Sequence, residues 1–269
     1  MSAILLNKNQ TKMKRTVLLI TGLVLGLVLA AQENEGSRIQ GKVIYEDVMK
    51  LEIKLEGAAA QFADQLPKER RSKKELLFNS DVSLFQNLKE DETAEEVAME
   101  HGGAMVQMKM MEPDNQLFYD IKDSKTIEKR EFMTRNFLIE GGIKQGEWKM
   151  TGDQKMILDY PCFKAEKEEN DSTVTSAWFT PSIPVSTGPS KFIGLPGLVL
   201  QVEFEGGDRT ITAQSVDLSA IDEDLLEKPK KGKKVTQEEF DTIVEEKMAE
   251  MGAEKGQGAG ATFMIRIEK

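Results

Sequence analysis

Ala104-Met-Val-Gln-Met-Lys-Met-Met111, Leu117-Phe-Tyr-Asp120, Thr126-Ile-Glu-Lys-Arg-Glu-Phe-Met133 and Phe137-Leu-Ile-Glu140 open a series of short runs. The series continues through Glu147–Met150, Lys155–Leu158, Cys162–Lys167 and Thr173–Phe179. Turn chemistry parts the runs: Glu112-Pro-Asp-Asn115, Lys122-Asp-Ser124, Gly141-Gly142, Thr151-Gly-Asp153 and Glu169-Asn-Asp171. Runs spaced about ten residues apart, with no helical pattern between them, predict an antiparallel meander and not βαβ units.

Working outward from this stretch, the same period of two recurs. Ile39, Val43, Tyr45, Met49, Leu51, Ile53 and Leu55 all fall on odd positions, as in one long half-buried strand. Gly57 to Leu66 is a short helix candidate stopped by Pro67. Lys74–Phe78 and Val82–Phe85 flank Asn79-Ser-Asp81, a hairpin signal. Glu90 to Glu100 carries six acids and reads as a solvated loop ending at His101-Gly-Gly103. Beyond the meander lie a Pro-rich loop, Pro181–Pro189, and a hairpin of Leu198–Glu205 with Arg209–Asp217. Lys228-Pro-Lys-Lys-Gly-Lys-Lys234 reads as a basic, solvated hinge; a contact with anions or a membrane surface is the other reading. Thr236-Gln-Glu-Glu239 is a capping box, and Phe240, Ile243, Val244, Met248 and Met251 mark one face of a helix over about 236–251. Thr262–Ile267 closes as a strand. The expected fold is mainly β: one domain over 32–269, a curved antiparallel sheet or half-barrel with one or two α-helices packed on it. The C-terminal helix is expected to cover part of its concave face.

Composition narrows the chemistry. One His and one Cys among 269 residues exclude a disulfide framework, a zinc finger and any scheme needing two histidines. Lys12, Lys14 and Arg15 precede a 15-residue apolar run, Val17 to Ala31, too short to span hydrocarbon comfortably. Residues 1–31 therefore read as a signal peptide starting at Met13, cleaved after Ala30 or Ala31, with an exported product. No Cys precedes Cys162, so no lipoprotein-type attachment Cys sits beside that cleavage site. Cleavage would remove four cations, Lys8, Lys12, Lys14 and Arg15, and no anion, taking the net charge from −10 to −14. A chain that acidic repels nucleic acid. No later segment is apolar for long enough to predict a transmembrane helix.

Three stretches carry a resemblance: Trp148-Lys-Met-Thr with Lys155-Met-Ile-Leu-Asp-Tyr-Pro-Cys-Phe-Lys-Ala165, Ala177-Trp-Phe-Thr-Pro-Ser-Ile-Pro-Val185 with Gly188-Pro189, and Phe192-Ile-Gly-Leu-Pro-Gly-Leu-Val199. In order and spacing they resemble the GLPGLI family, with Val199 replacing the final Ile. The resemblance implies an exported protein of an outer-membrane-bearing bacterium, near the outer membrane, in the periplasm or secreted; it supplies no active site. Gly194, Leu195, Pro196, Gly197 and Leu198 read as a structural turn or a partner contact. Pro196 fits turn position i+1 and Gly197 supplies positive φ at i+2. Leu198–Phe204 then enters a covered central strand.

Other residues that could carry chemistry are few. Trp148, Tyr160, Trp178 and Phe179 are core aromatics or the walls of a ligand groove. His101 with Met105, Met108 and Met110 offers imidazole and thioether ligands suited to Cu(I). Strand alternation, however, sends Met108 and Met110 to one face and Met105 and Met111 to the other. Cys162 reads as a buried, inert thiol. No Gly-x-Ser-x-Gly elbow occurs. No cofactor is expected. The leading expectation is a non-catalytic envelope protein that binds a protein partner or an apolar ligand; copper handling is the alternative and an enzyme the third.

Overall fold

The computed structural model describes residues 39–51, 53–54, 67–89, 95–101, 104–110, 112–144, 146–170, 173–204, 206–254 and 264–265. The chain falls into two units, Met1–Arg38 and Ile39–Lys269, and the described residues lie in the second. The expected signal segment and the helix at 57–66 lie outside them. The strands are β1 (Gly41–Lys50), β2 (Ile53–Lys54), β3 (Glu69–Phe78), β4 (Val82–Asn87), β5 (Glu95–His101), β6 (Ala104–Met110), β7 (Gln116–Asp120) and β8 (Lys125–Phe132). They continue as β9 (Arg135–Gly142), β10 (Lys149–Ile157), β11 (Tyr160–Asn170), β12 (Thr173–Thr180), β13 (Leu198–Phe204), β14 (Arg209–Asp217), β15 (Lys233–Val235) and β16 (Met264–Ile265). Among the described residues one α-helix, α1, spans Gln237–Glu254, and a 3-10 turn spans Glu223–Leu226.

Twelve strands form one open sheet in the order β10-β11-β12-β13-β14-β1-β3-β4-β7-β8-β9-β15. Every pairing is antiparallel except that of β15 with β9. The protein is thus mainly β, with one helix described, as the alternation predicts. The single meander is not what forms. β9 and β10 are neighbours in sequence yet lie at opposite ends of that order, save for β15. Two meanders are instead joined where β1 pairs with β14, Tyr45 opposite Ala213. β5–β6 and β2–β16 are separate two-stranded sheets.

From β1 to β9 the ladders run without a register shift, so alternate residues keep one face throughout. That core face carries Val43, Tyr45, Leu76, Phe78, Phe85, Leu117 and Tyr119. Its far end carries Phe137 and Ile139, against which Phe240 of α1 packs. The opposite face carries Leu77, Leu84 and Phe118, covered by Leu226 of the 3-10 turn. β13 is buried on both sides, with Leu198, Val199, Leu200 and Val202 all at 0% exposure.

Local differences from the sequence reading have physical causes. The acidic 90–100 stretch is a strand from Glu95, because β6 offers it a full antiparallel ladder. Thr151-Gly-Asp153 does not separate two strands: Gly152 at φ +87° lets two extra residues loop out of β10 against β11. The long strand expected to reach Leu55 ends at Lys50, and Ile53–Lys54 pair with β16. β8 and β9 turn on Met133 and Thr134, both with positive φ, the type I′ geometry that closes a two-residue hairpin. The basic hinge is an ordered edge: Pro229 is buried, Gly232 lies against Phe137 and Leu138, and β15 follows. In α1 the capping box forms reciprocally, Glu239 N–H to Thr236 Oγ1 at 3.1 Å and Thr236 N–H to Glu239 Oε2 at 2.9 Å. Phe240, Ile243 and Val244 in the first half of the helix dock, while Met248 is exposed.

Candidate functional site

The segment between β12 and β13, residues 181–197, organises the molecule. Pro-rich chain cannot continue a ladder, so it leaves the sheet and folds back over it. Ile183, Val185 and Ile193 sink into the main core, and Phe192 and Leu195 into a second cluster with Ala165, Ala177, Phe179, Val199 and Val202. Its backbone is tied down by Leu198 N–H to Ile183 C=O and Val199 N–H to Thr187 C=O, both at 3.0 Å. Thr187 Oγ1 bonds Ser83 Oγ at 2.8 Å, and Lys191 reaches Glu128 at 3.5 Å. Tyr45 donates to Val199 C=O at 2.7 Å, linking β1 to the strand that follows the loop.

Gly194, Leu195, Pro196, Gly197 and Leu198 close this segment. Leu195 and Leu198 are buried while Pro196 is exposed. Gly197 N–H bonds Leu195 C=O at 2.8 Å, which makes a three-residue turn centred on Pro196 in place of the expected four-residue one. Gly197 has φ +152°, and a Cβ there would lie 2.1 Å from the Thr180 carbonyl oxygen. Gly194 has φ +98°, and its N–H bonds Ser186 Oγ at 3.1 Å. Gly194, Leu195, Gly197 and Leu198 thus each contact the loop or the strands beside it, while Pro196 is the exposed centre of the turn.

The four aromatics divide between two clusters. Trp148 and Phe179 join the cluster built on Phe192, the Trp148 and Phe192 rings 6.0 Å apart. Tyr160 and Trp178 join the main core. Lys155 Nζ lies 3.9 Å over the Trp178 ring and also bonds Gln201. Burial pushes the Lys155 ammonium down, with Glu203 pulling it back. The indole N–H groups of Trp148 and Trp178 are enclosed without a hydrogen-bond partner among the described residues.

In the β5–β6 hairpin the register sets His101 opposite Ala104, Met105 opposite Glu100, Met108 opposite Val97 and Met110 opposite Glu95. His101 and Met108 are four ladder steps apart, about 13 Å at the rise of a strand. Among the described residues no three His, Cys, Asp or Glu side chains converge as metal ligands. Cys162 is buried, and burial pushes its thiol up to about 11, so the nucleophilic thiolate is scarce at neutral pH.

One constellation escaped the sequence reading. Asp47, 4% exposed, takes a bidentate contact from Arg209, Nε at 2.9 Å and Nη2 at 2.6 Å. Beside it Lys74 bonds Glu112 and Asn87, and Arg70 reaches Glu112 at 3.2 Å. Burial pushes the Lys74 ammonium down, offset in part by Glu112. The signal was present in β1: Asp47 holds the same phase as Val43 and Tyr45, and a charge on a buried phase needs a partner.

Fold and loop together define an open, mostly antiparallel β-sheet protein stapled across its core face by its own Pro/Gly-rich segment. Residues 165–201 match the family described as "Protein of unknown function (Porph_ging)". The match takes in the Trp178 block and the Gly194–Val199 motif. No curated protein matches the chain. Among solved structures it is similar to PNGF-II in a C2 crystal form, at 19% identity and TM-score 0.50, over 77% of this chain. The chain spans 32% of the length of that PNGF-II chain. PNGF-II in a P21 form gives 19% identity and TM-score 0.49, over 73% of this chain and 32% of that one. An uncharacterized conserved protein from Thermus thermophilus gives 8% and 0.38, over 76% and 94%. The first likeness bears out the β fold.

Proposed function

We propose that the protein is an exported, non-catalytic β module of the cell envelope that binds a protein partner. The observation that carries this reading is the seating of residues 181–197. The apolar side chains that a curved sheet would offer to a lipid are covered by Ile183, Val185, Phe192, Ile193 and Leu195 of the same chain. A partner engaged from outside is therefore favoured over an apolar ligand held inside. The buried, neutral Cys162 and the single His support a role without covalent or general-base chemistry. The basic, apolar N-terminal run supports export. Among the described residues no helix is long and apolar enough to cross a membrane. Native mass spectrometry of the protein released from its own envelope tests the reading. The expected spectrum shows the processed chain, alone and with a polypeptide adduct. A lipid accompanying the chain at about one copy each would overturn it.

A further inference from the structure

Free strand edges are where a β protein gains partners, and most of those in this fold are blocked. β10, at one end of the large sheet, is broken by the residues that loop out around Gly152. β15, at the other end, is three residues long and carries Lys233 and Lys234. β2 and β16 have two residues each. The β5–β6 hairpin stands apart as a two-stranded sheet, and neither of its strands has a further neighbour among the described residues.

The register of the hairpin sorts its residues by polarity. Directly opposite residues share a face. Val97 with Met108 and Met99 with Val106 fall on one face, with Glu95–Met110 at one end of it and His101–Ala104 at the other. The second face takes Glu96 with Lys109, Ala98 with Gln107 and Glu100 with Met105. A ribbon with one apolar face is marginal in water until further strands or a packing layer join it. The two edges of the ribbon differ. β5 holds Glu95, Glu96 and Glu100, and antiparallel pairing with its own copy about Ala98 would set Glu96 against Glu100 twice. β6 reads Ala-Met-Val-Gln-Met-Lys-Met, seven residues with a single charge and neither Pro nor Gly. That is the composition of a strand that pairs readily.

We propose that β6 is a dimerisation edge, at which two copies of the chain pair β6 with β6, antiparallel, about a two-fold axis at Gln107. That register uses the whole strand. It sets Val106 against Met108 and Ala104 against Met110 on the apolar face, and Met105 against Lys109 on the polar one, so no charge meets its like. The two hairpins become one four-stranded sheet with a continuous apolar face, the arrangement that a lone hairpin lacks. The outer edges of that sheet are then the two acidic β5 strands, which closes the assembly at two copies. The dimer is independent of the envelope partner proposed above.

Sedimentation velocity of the purified protein at rising concentration tests the edge. The expected result is a monomer–dimer equilibrium with the dimer predominant at about 100 μM. Gln107→Lys sets two ammonium groups against each other on the axis and should weaken the dimer about tenfold or more. Within its own hairpin the new charge has Glu96 and Glu100 as diagonal neighbours, so the ladder of β5 with β6 is kept. Ala98→Lys places the same charge on the same face at the β5 edge and should leave the dimer intact. Gln107→Cys should cross-link the two chains on mild oxidation, because Cα atoms opposed at about 4.5–5.5 Å lie within disulfide reach. Cys162 is buried and does not compete. A protein that stays monomeric at about 100 μM, or that grows beyond the dimer, overturns the proposal. So does a Gln107→Lys protein that dimerises like the wild type, an Ala98→Lys protein that loses the dimer equally, or a Gln107→Cys protein that does not cross-link.

Discussion

At Gly197 a methyl group would stand 2.1 Å from the Thr180 carbonyl oxygen and 2.6 Å from its carbon. Backbone cannot move aside as a flexible side chain can, so Gly197→Ala should cost about 3 kcal/mol, more than a disfavoured dihedral alone. Asn relieves strain near φ +57°, but Gly197 sits at +152° and Asn carries the same Cβ. Gly197→Asn should therefore be as damaging as Ala. Gly206, at φ +69° with nothing within 4 Å of a Cβ, is the contrast: Gly206→Asn should shift stability by less than about 0.5 kcal/mol. Urea midpoints of the three variants decide the matter, and a wild-type midpoint for Gly197→Asn would remove the steric account. That Gly197 needs positive φ was legible from Pro196 before it. That Thr180 presses against it was not, because the contact joins two segments separated by the whole loop.

Two elements show different kinds of dependence on the rest of the chain. α1 is stabilised locally by its capping box and docks through Phe240, Ile243 and Val244. Thr236→Ala should cost about 1 kcal/mol. The loss should appear as faster amide exchange in the first turns of α1, with exchange in β1 and β13 unchanged. β1, by contrast, is held by distant partners. Removing the Asp47 carboxylate with Asp47→Leu strands the part-buried guanidinium of Arg209 and should cost about 3 kcal/mol. The double variant Asp47→Leu/Arg209→Leu should be less destabilised than the single one, since no buried charge is left alone. Thermal unfolding of the pair checks this: a double variant worse than Asp47→Leu contradicts it. The helix was legible because its signals are contiguous in sequence. The ion pair was not, because its halves are 162 positions apart and only the β1–β14 ladder brings them together.

Over the whole molecule, the buried acids set an alkaline limit. Burial raises Cys162 from 9.0 to about 11 and pushes Tyr45 and Tyr119 up from 10.0. A group whose protonated form the fold favours contributes its full stability below its unfolded pKa and loses it as pH climbs toward the folded value. For Cys162 that window runs from 9.0 to about 11; the loss from the two phenols begins at 10.0. The melting temperature should accordingly fall across this range, and Cys162 should become reactive to thiol reagents only as the protein unfolds. Fast labelling of Cys162 at about pH 8 in the folded state would contradict the burial on which this rests.

What the sequence determined by itself is the material of the fold: strands from the period of two, turns from Gly, Pro, Asn and Asp, and one capped helix. These follow from dihedral preferences and from which face of a short segment is apolar, quantities that neighbouring residues settle among themselves. Only the tertiary structure decided the strand order, the union of two meanders through β1 and β14, and the use of residues 181–197 as the cover of the core face. Those outcomes rest on pairings such as Tyr45 with Ala213, Thr187 with Ser83 and Lys191 with Glu128. An apolar strand buries its face equally well beside several neighbours. The choice among them comes from matching bulges, ion pairs and loop reach over the whole chain at once.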